Sequence, residues 1–284
     1  MAEANRDQIE HWNAKAGPVW VAFQEQLDTG IREHGRRALD ALALAPGERV
    51  LDLGCGCGDT TLDAARRVAA SGEVVGVDIS GPMLARARER AAAAGQANAR
   101  FVQSDAQTDE LGSARFDAAV SRFGVMFFED PATAFANVAR ALRPGGRLAF
   151  VCWQPPQANP WIREPMAAVA PWVSLPPPPP PGAPGMFSLA DPARIRSLLE
   201  GAGFTEVSVE GEELPMILGA GDLDEAVATF LEVGPVASAL REAAADETQR
   251  ARVASAVREV FARHLRDGRP VLGSAFWRVR ALRT

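Results

Sequence analysis

The chain has 284 residues, 36 acidic against 30 basic side chains, and a hydrophobic share of 47%. That is the composition of a globular protein with a sizeable core, not of a disordered or fibrous one. Its net charge of -6 offers no general attraction to phosphate backbones or anionic lipid, so nucleic acid is not an expected partner.

Tyrosine is absent and Lys15 is the single lysine. A phenolic acid or base is therefore excluded, and proton transfer falls to His11, His34, His264, Lys15, the carboxylates or water. Cys55, Cys57 and Cys152 are too few for a disulfide scaffold, and a reducing cytoplasm is the expected location. The opening MAEANRDQIEHW lacks the basic-then-apolar order of an export signal, and no apolar run approaches the roughly 18 residues of a membrane span.

In chain order, residues 1–45 read as a helical lid before the first strand. Trp12, Trp20 and Phe23 are spaced for one packed face, while His34 and His264 read as residues of solvated helical faces. From 46 to 153 short β-branched runs alternate with alanine-rich helical stretches, the pattern of a parallel sheet covered by helices. Strands are expected at 49–53, 73–78, 100–104, 117–121 and 147–153. The intervening helices start near Thr60, after the Ser80 cap, and at Pro131. Residues 154–190 form a proline-rich cap insertion that cannot continue the sheet; its six consecutive prolines, 176–181, read as a stiff spacer. Residues 191–284 return to the core with a helix capped by Asp191, a strand at 206–210, a helical insertion at 222–268 and a last strand at 275–281. The expected fold is α/β: a Rossmann-like, doubly wound, seven-stranded sheet with mostly helical cap insertions.

The segment that carries chemistry is Val50-Leu51-Asp52-Leu53-Gly54-Cys55-Gly56-Cys57-Gly58-Asp59, a strand turning through three glycines into a helix, where a ligand can approach backbone closely. The spacing is G-x-G-x-G, not the G-x-G-x-x-G of dinucleotide sites. Asp52 and Asp59 flank it, and two anions would repel a pyrophosphate but favour a cationic nucleoside. Asp78, at the end of the second strand, is suited to accept from ribose hydroxyls. Asp105 and the Ala106 N–H are suited to an adenine edge, and Ile79 and Met83 to the faces of the base. Cys55 and Cys57, with no third cysteine or histidine pair at ligand spacing, read as small loop fillers, and no metal is expected.

With Val74 to Ser80, Phe116 to Ser121 and Leu142 to Leu148, this segment resembles the ordered motifs of class I S-adenosylmethionine-dependent methyltransferases, over roughly residues 46–153. The subgroup is similar to the small-molecule enzymes that include those of ubiquinone and menaquinone biosynthesis. The resemblance implies S-adenosyl-L-methionine as cofactor, with S-adenosyl-L-homocysteine as product. It implies cofactor contacts from Asp52, Gly54, Gly56, Asp78, Ile79, Met83, Asp105, Ala106 and Arg122, and a small, partly apolar acceptor methylated on O, N or C. No catalytic residue stands out beyond a weak candidate, His11, on the lid. The alternative is a non-catalytic sensor or partner subunit that binds the same nucleoside. Residues 154–190 and 222–268 are expected to wall the acceptor pocket.

Overall fold

The computed structural model describes residues 5–175, 177, 179–180 and 182–284. The expected spacer at 176–181 includes positions 176, 178 and 181, which lie outside the described residues. One mixed sheet organises the chain, in the order β3-β2-β1-β4-β5-β8-β6. Its strands are β1 (Arg49–Leu53), β2 (Glu73–Asp78), β3 (Ala99–Gln103), β4 (Phe116–Arg122), β5 (Leu142–Trp153), β6 (Phe204–Ile217), β7 (Leu265–Arg266) and β8 (Arg269–Arg283), with β7 paired only to β8. β1 to β5 pair in parallel, and β8 runs antiparallel between β5 and β6. The first five strands come from a repeated strand–helix alternation, which favours parallel neighbours. The order reverses beside β1, and at such switch points the carboxyl ends of the strands open a crevice for ligands.

The sheet buries Phe116, Phe150, Phe204 and Phe276 completely, and helices add Phe135 and Phe261. At ~25 cal/mol per Å² of apolar surface, burying such a phenylalanine contributes on the order of 2–3 kcal/mol before the entropic cost of ordering.

Several elements differ from the sequence expectation. The first helix of the sheet region starts at Asp59 with Gly58 as its cap, not in a box on Thr60, because Thr60 and Thr61 turn inward and are buried. β5 begins at Leu142, which pairs with Phe116 across a register shift, so the Pro144-Gly145-Gly146 turn lies inside the strand. β6 and β8 are far longer than expected. They pair from Phe204 with Arg283 to Ile217 with Val271. β6 alternates poorly because much of this edge strand is exposed on both faces, which hides its true length from a period-2 reading. A helix at Pro235–Glu242 was not anticipated between those at Leu223–Glu232 and Glu247–Ala262.

His34 is the clearest correction. Expected on a solvated face, it is fully buried on the Gln24–Leu42 helix, boxed by Phe123, Trp153 and Phe276 at centroid distances of 5.5, 5.2 and 4.8 Å. Its Nε2 lies 2.8 Å from Ser274 Oγ, whose hydroxyl donates to the Leu214 carbonyl. Burial depresses its pKa to about 3, so the ring is neutral. His264 is half-buried and pairs with Glu164 at 2.8 Å.

Candidate functional site

A cleft of about 990 Å³, open mouth included, lies at the carboxyl ends of β1, β2 and β4. Its floor is the glycine turn after β1. Gly56 adopts φ +53°, and a Cβ there would stand 2.8 Å from Met83 Cε. The left-handed backbone favours glycine at that position, while the close contact falls on the flexible end of a side chain that can move aside. The Cys55 N–H donates to the Val77 carbonyl at 3.1 Å, fastening the turn to β2.

The acidic residues take different positions around this floor. The Asp78 carboxylate accepts the Gly56 N–H through Oδ2 and the Ser80 N–H through Oδ1, each at 2.8 Å. Burial raises its pKa, and those two backbone donors oppose the shift without cancelling it. Asp105 accepts the Gln107 N–H at 2.9 Å and an Asn5 amide N–H at 3.1 Å. Asp52 does not line the cleft. It lies beneath the turn, where its Oδ2 accepts from Thr61 Oγ1 at 2.6 Å and its Oδ1 is buried without a partner. Burial pushes its pKa up to about 7. Gly54, Gly56, Asp78, Ile79, Met83, Asp105, Ala106 and Arg122, the other residues singled out for a nucleoside, share this one cleft. Cys55 and Cys57 also line it as free thiols, and burial pushes the Cys57 pKa up to about 12.

Arg122 sits at the end of β4 as a buried cation. Burial alone would lower its pKa, but Asp28 and Asp59 outweigh that and hold it above the ordinary value. It donates to Asp28 at 3.1 Å and to Asp59 at 3.0 Å. Asp28 was missed in the sequence. It falls on the buried stripe of the Gln24–Leu42 helix, with Gln24, Ile31, Gly35, Ala38 and Leu42, and an acidic residue on a stripe reads as a break in it.

The N-terminal segment forms the outer wall. Trp12, Trp20, Leu27 and Ile31 face the cleft, opposite Phe123, Phe127 and Phe128. Trp12 meets Trp20 and Phe127 edge-on, at 5.9 and 5.1 Å between centroids. The segment is pinned to the rim: Asn13 donates to the Ile79 carbonyl at 2.9 Å and accepts the Gly81 N–H at 3.0 Å. His11 is on the same segment but does not line the cleft; its ring stands edge-on to Trp12, and burial with Lys15 and Arg241 lowers its pKa. None of the described residues of 154–190 or 222–268 lines the cleft, contrary to the expectation that they wall it. Residues 154–190 reach its wall only indirectly: Gly185 N–H and Ser188 Oγ both donate to the Met126 carbonyl, next to Phe127.

This donor and acceptor set fits a nucleoside with a charged amino-acid tail. Carboxylates stand at two strand ends, a glycine floor leaves room for backbone approach, and the buried Asn5 Oδ1 in the cleft lining lacks a partner.

Comparison with known proteins agrees with that chemistry. A family described as "Methyltransferase domain" matches residues 50–146. The chain is 31% identical over 199 residues to the nocamycin O-methyltransferase of Saccharothrix syringae, covering 66% of this chain and 71% of that protein. It is 43% identical over 122 residues to the demethylmenaquinone methyltransferase of Thermus thermophilus, covering 43% and 54%. The chain spans less than two thirds of the length of several such relatives. Among solved structures, a phosphoethanolamine N-methyltransferase of Haemonchus contortus superposes with TM-score 0.60 at 18% identity, covering 99% of this chain and 60% of that one, which establishes likeness of fold.

Proposed function

The chain belongs to the S-adenosylmethionine-dependent methyltransferases, and on that premise we propose that it methylates a small, flat, partly apolar molecule. The observation that carries the reading is the convergence of the glycine turn, Asp78, Asp105 and Arg122 on one cleft at the strand switch point. The cofactor supplies, when bound, an electrophilic methyl group on a sulfonium centre.

This chain's own residues would hold and orient it. Asp78 keeps lone pairs beyond its two backbone bonds for the ribose hydroxyls. Asp105 and the Ala106 N–H suit the adenine edge, with Ile79 and Met83 against its faces. Gly54 and Gly56 let the methionine backbone approach, and Arg122 suits its carboxylate. Trp12, Trp20 and Phe127 give the acceptor an apolar wall, so that it is held in line with the methyl group and water is excluded. Such positioning can supply several kcal/mol of the barrier reduction, without a dedicated acid or base when the acceptor is already nucleophilic. Three buried thiols suit a reducing compartment.

The test has two stages. Calorimetric titration with S-adenosylmethionine and S-adenosylhomocysteine should show saturable binding to one site. Label from methyl-tritiated cofactor should then pass to at least one member of a panel of phenols, quinols, carboxylic acids and amines. Binding without transfer to any acceptor class would favour the non-catalytic reading.

A further inference from the structure

Four charged side chains, Asp28 buried and the other three largely so, close into a ring at one end of the cleft. Asp28 pairs with Arg122 at 3.1 Å and with Arg90 at 3.0 Å; Asp59 pairs with the same two arginines at 3.0 and 3.2 Å. Gln24 adds a 2.6 Å bond to Asp28, and the outer Arg32 pairs with Asp59 at 3.1 Å. The ring ties together the N-terminal helix, β4, the Gly81–Ala93 helix and the start of the Asp59–Arg67 helix. It also grips the glycine turn, since Arg90 donates to the Cys57 carbonyl at 2.6 Å.

Stability is a weak reason for such an arrangement. Desolvating four charges costs about as much as their attraction returns, and an apolar cluster of equal volume would serve the fold at least as well. The charges matter for what faces them. The charged residues lining the cleft are Asp28, Asp78, Asp105 and Arg122, three carboxylates against one guanidinium. Asp28 is the carboxylate that the motifs do not require, and it is only 3% exposed, so water screens it poorly.

We propose that Asp28 is a specificity-determining residue of this site, its charge favouring a ligand that carries a positive sulfonium over the uncharged thioether of otherwise equal shape. The inference rests on the methyltransferase reading, under which cofactor and product differ by that one charge. The lining residues carry an excess of two negative charges, partly offset by Arg90 behind Asp28, and the remaining field favours the cationic form over the uncharged product by Coulomb attraction. Arg90 holds Asp28 from behind without lining the cleft, so it works in the opposite electrostatic sense.

The experiment is calorimetric titration of S-adenosylmethionine and S-adenosylhomocysteine into the full chain and its variants, read as the ratio of the two affinities. Asp28→Asn should lower the ratio on the order of fivefold, the scale of one unit charge acting across a partly screened cleft. Arg90→Gln should raise it. Asp28→Glu, which keeps the charge, should hold it within about twofold of the wild type, and with Arg90→Gln carries the test if Asp28→Asn does not fold. An unchanged ratio in Asp28→Asn, or a shift of the same sign in Asp28→Asn and Arg90→Gln, overturns the proposal while leaving the methyltransferase reading intact. Failure of the wild type to bind either ligand overturns that reading, and this inference with it.

Discussion

The backbone carbonyl of Trp12 accepts a hydrogen bond from Ser80 Oγ at 2.8 Å, which fastens the N-terminal segment to the start of the Gly81–Ala93 helix. Residues His11–Lys15 form a π-helical turn, and widened turns of this kind release backbone carbonyls for tertiary bonds. Directly beneath, Gly17 has no room for a side chain: a Cβ there would lie 2.0 Å from the Trp12 oxygen and 2.6 Å from Ser80 Oγ. Gly17→Ala should therefore detach the segment while leaving the sheet folded. Hydrogen exchange should show loss of protection confined to the residues before Gln24, with cofactor affinity falling on the order of tenfold as the outer wall opens. Protection and affinity equal to the wild type would mean that the segment is not a closure over the site.

Asp78 does two jobs at once. Besides facing the cleft, it accepts the N–H groups of Gly56 and Ser80, so it shapes the glycine turn as well as offering lone pairs to a ligand. Asp78→Asn keeps the size but replaces one acceptor oxygen with a donor that confronts a backbone N–H. Calorimetry should register a loss of cofactor affinity of roughly a hundredfold, larger than for Asp105→Asn, where the Ala106 backbone contact remains.

Asp52 predicts a loss of stability between acidic and neutral pH. Its folded pKa near 7 stands above the ordinary 3.8 because burial disfavours the carboxylate. For an acid whose pKa is raised by folding, the stabilisation is complete below the unfolded value and is lost as pH climbs through the folded one. The window is therefore about pH 4 to 7, and the loss is on the order of 4 kcal/mol. In Asp52→Asn, which cannot ionise, stability relative to the wild type at the same pH should rise from pH 5 to pH 8 in denaturant melts of the two proteins.

His34 acts in the reverse sense. Its folded pKa of about 3 lies below the ordinary 6.5, so its contribution is present above pH 6.5 and is lost as pH falls toward 3. The two slopes oppose one another in the overlapping range, and the variants separate them. His34→Met, of similar volume, should be less stable at pH 7, because its buried bond to Ser274 is gone. The gap to the wild type should then close steadily on acidification; a gap independent of pH would show that His34 is not buried as a neutral ring.

The parallel half of the sheet and its ligand-bearing turns were legible in the sequence because each depends on a local pattern. β1 and β2 start and stop where their β-branched runs do, and Gly54, Asp78 and Asp105 stand at fixed offsets from strand ends. Asp28, Arg90 and His34 were not legible. Their burial depends on partners 31 to 240 positions away along the chain, and a charged or titratable side chain carries no periodic signal until those partners are known. The same holds for residues 154–190. Their prolines suggested a detachable cap, yet Trp161, Ile162, Val169, Val173 and Leu189 are buried in the main core. Replacing the whole segment by a flexible linker would therefore expose that core and test folding, not the acceptor site.

A narrower substitution tests the acceptor wall. Trp20 faces the cleft from the N-terminal segment and holds Trp12 edge-on, while Trp12 in turn reaches Phe127 on the opposite wall. The polar groups suited to the nucleoside, at Asp78, Asp105 and Arg122, belong to the core strands and their ends, and Trp20 contributes none of them. Trp20→Ala removes a large apolar face and leaves that polar set in place. Aromatic truncation in a well-packed contact costs about 2–4 kcal/mol, which would raise the acceptor KM by a factor on the order of 30 or more while cofactor affinity stays within about threefold. Steady-state kinetics at saturating cofactor, with calorimetry alongside, gives both quantities from one preparation. If cofactor affinity falls as far as acceptor affinity, Trp20 closes over the nucleoside, and the acceptor must lie on the far side, against Phe127 and Phe128. If neither changes, the aromatic wall is part of the core and the acceptor enters elsewhere.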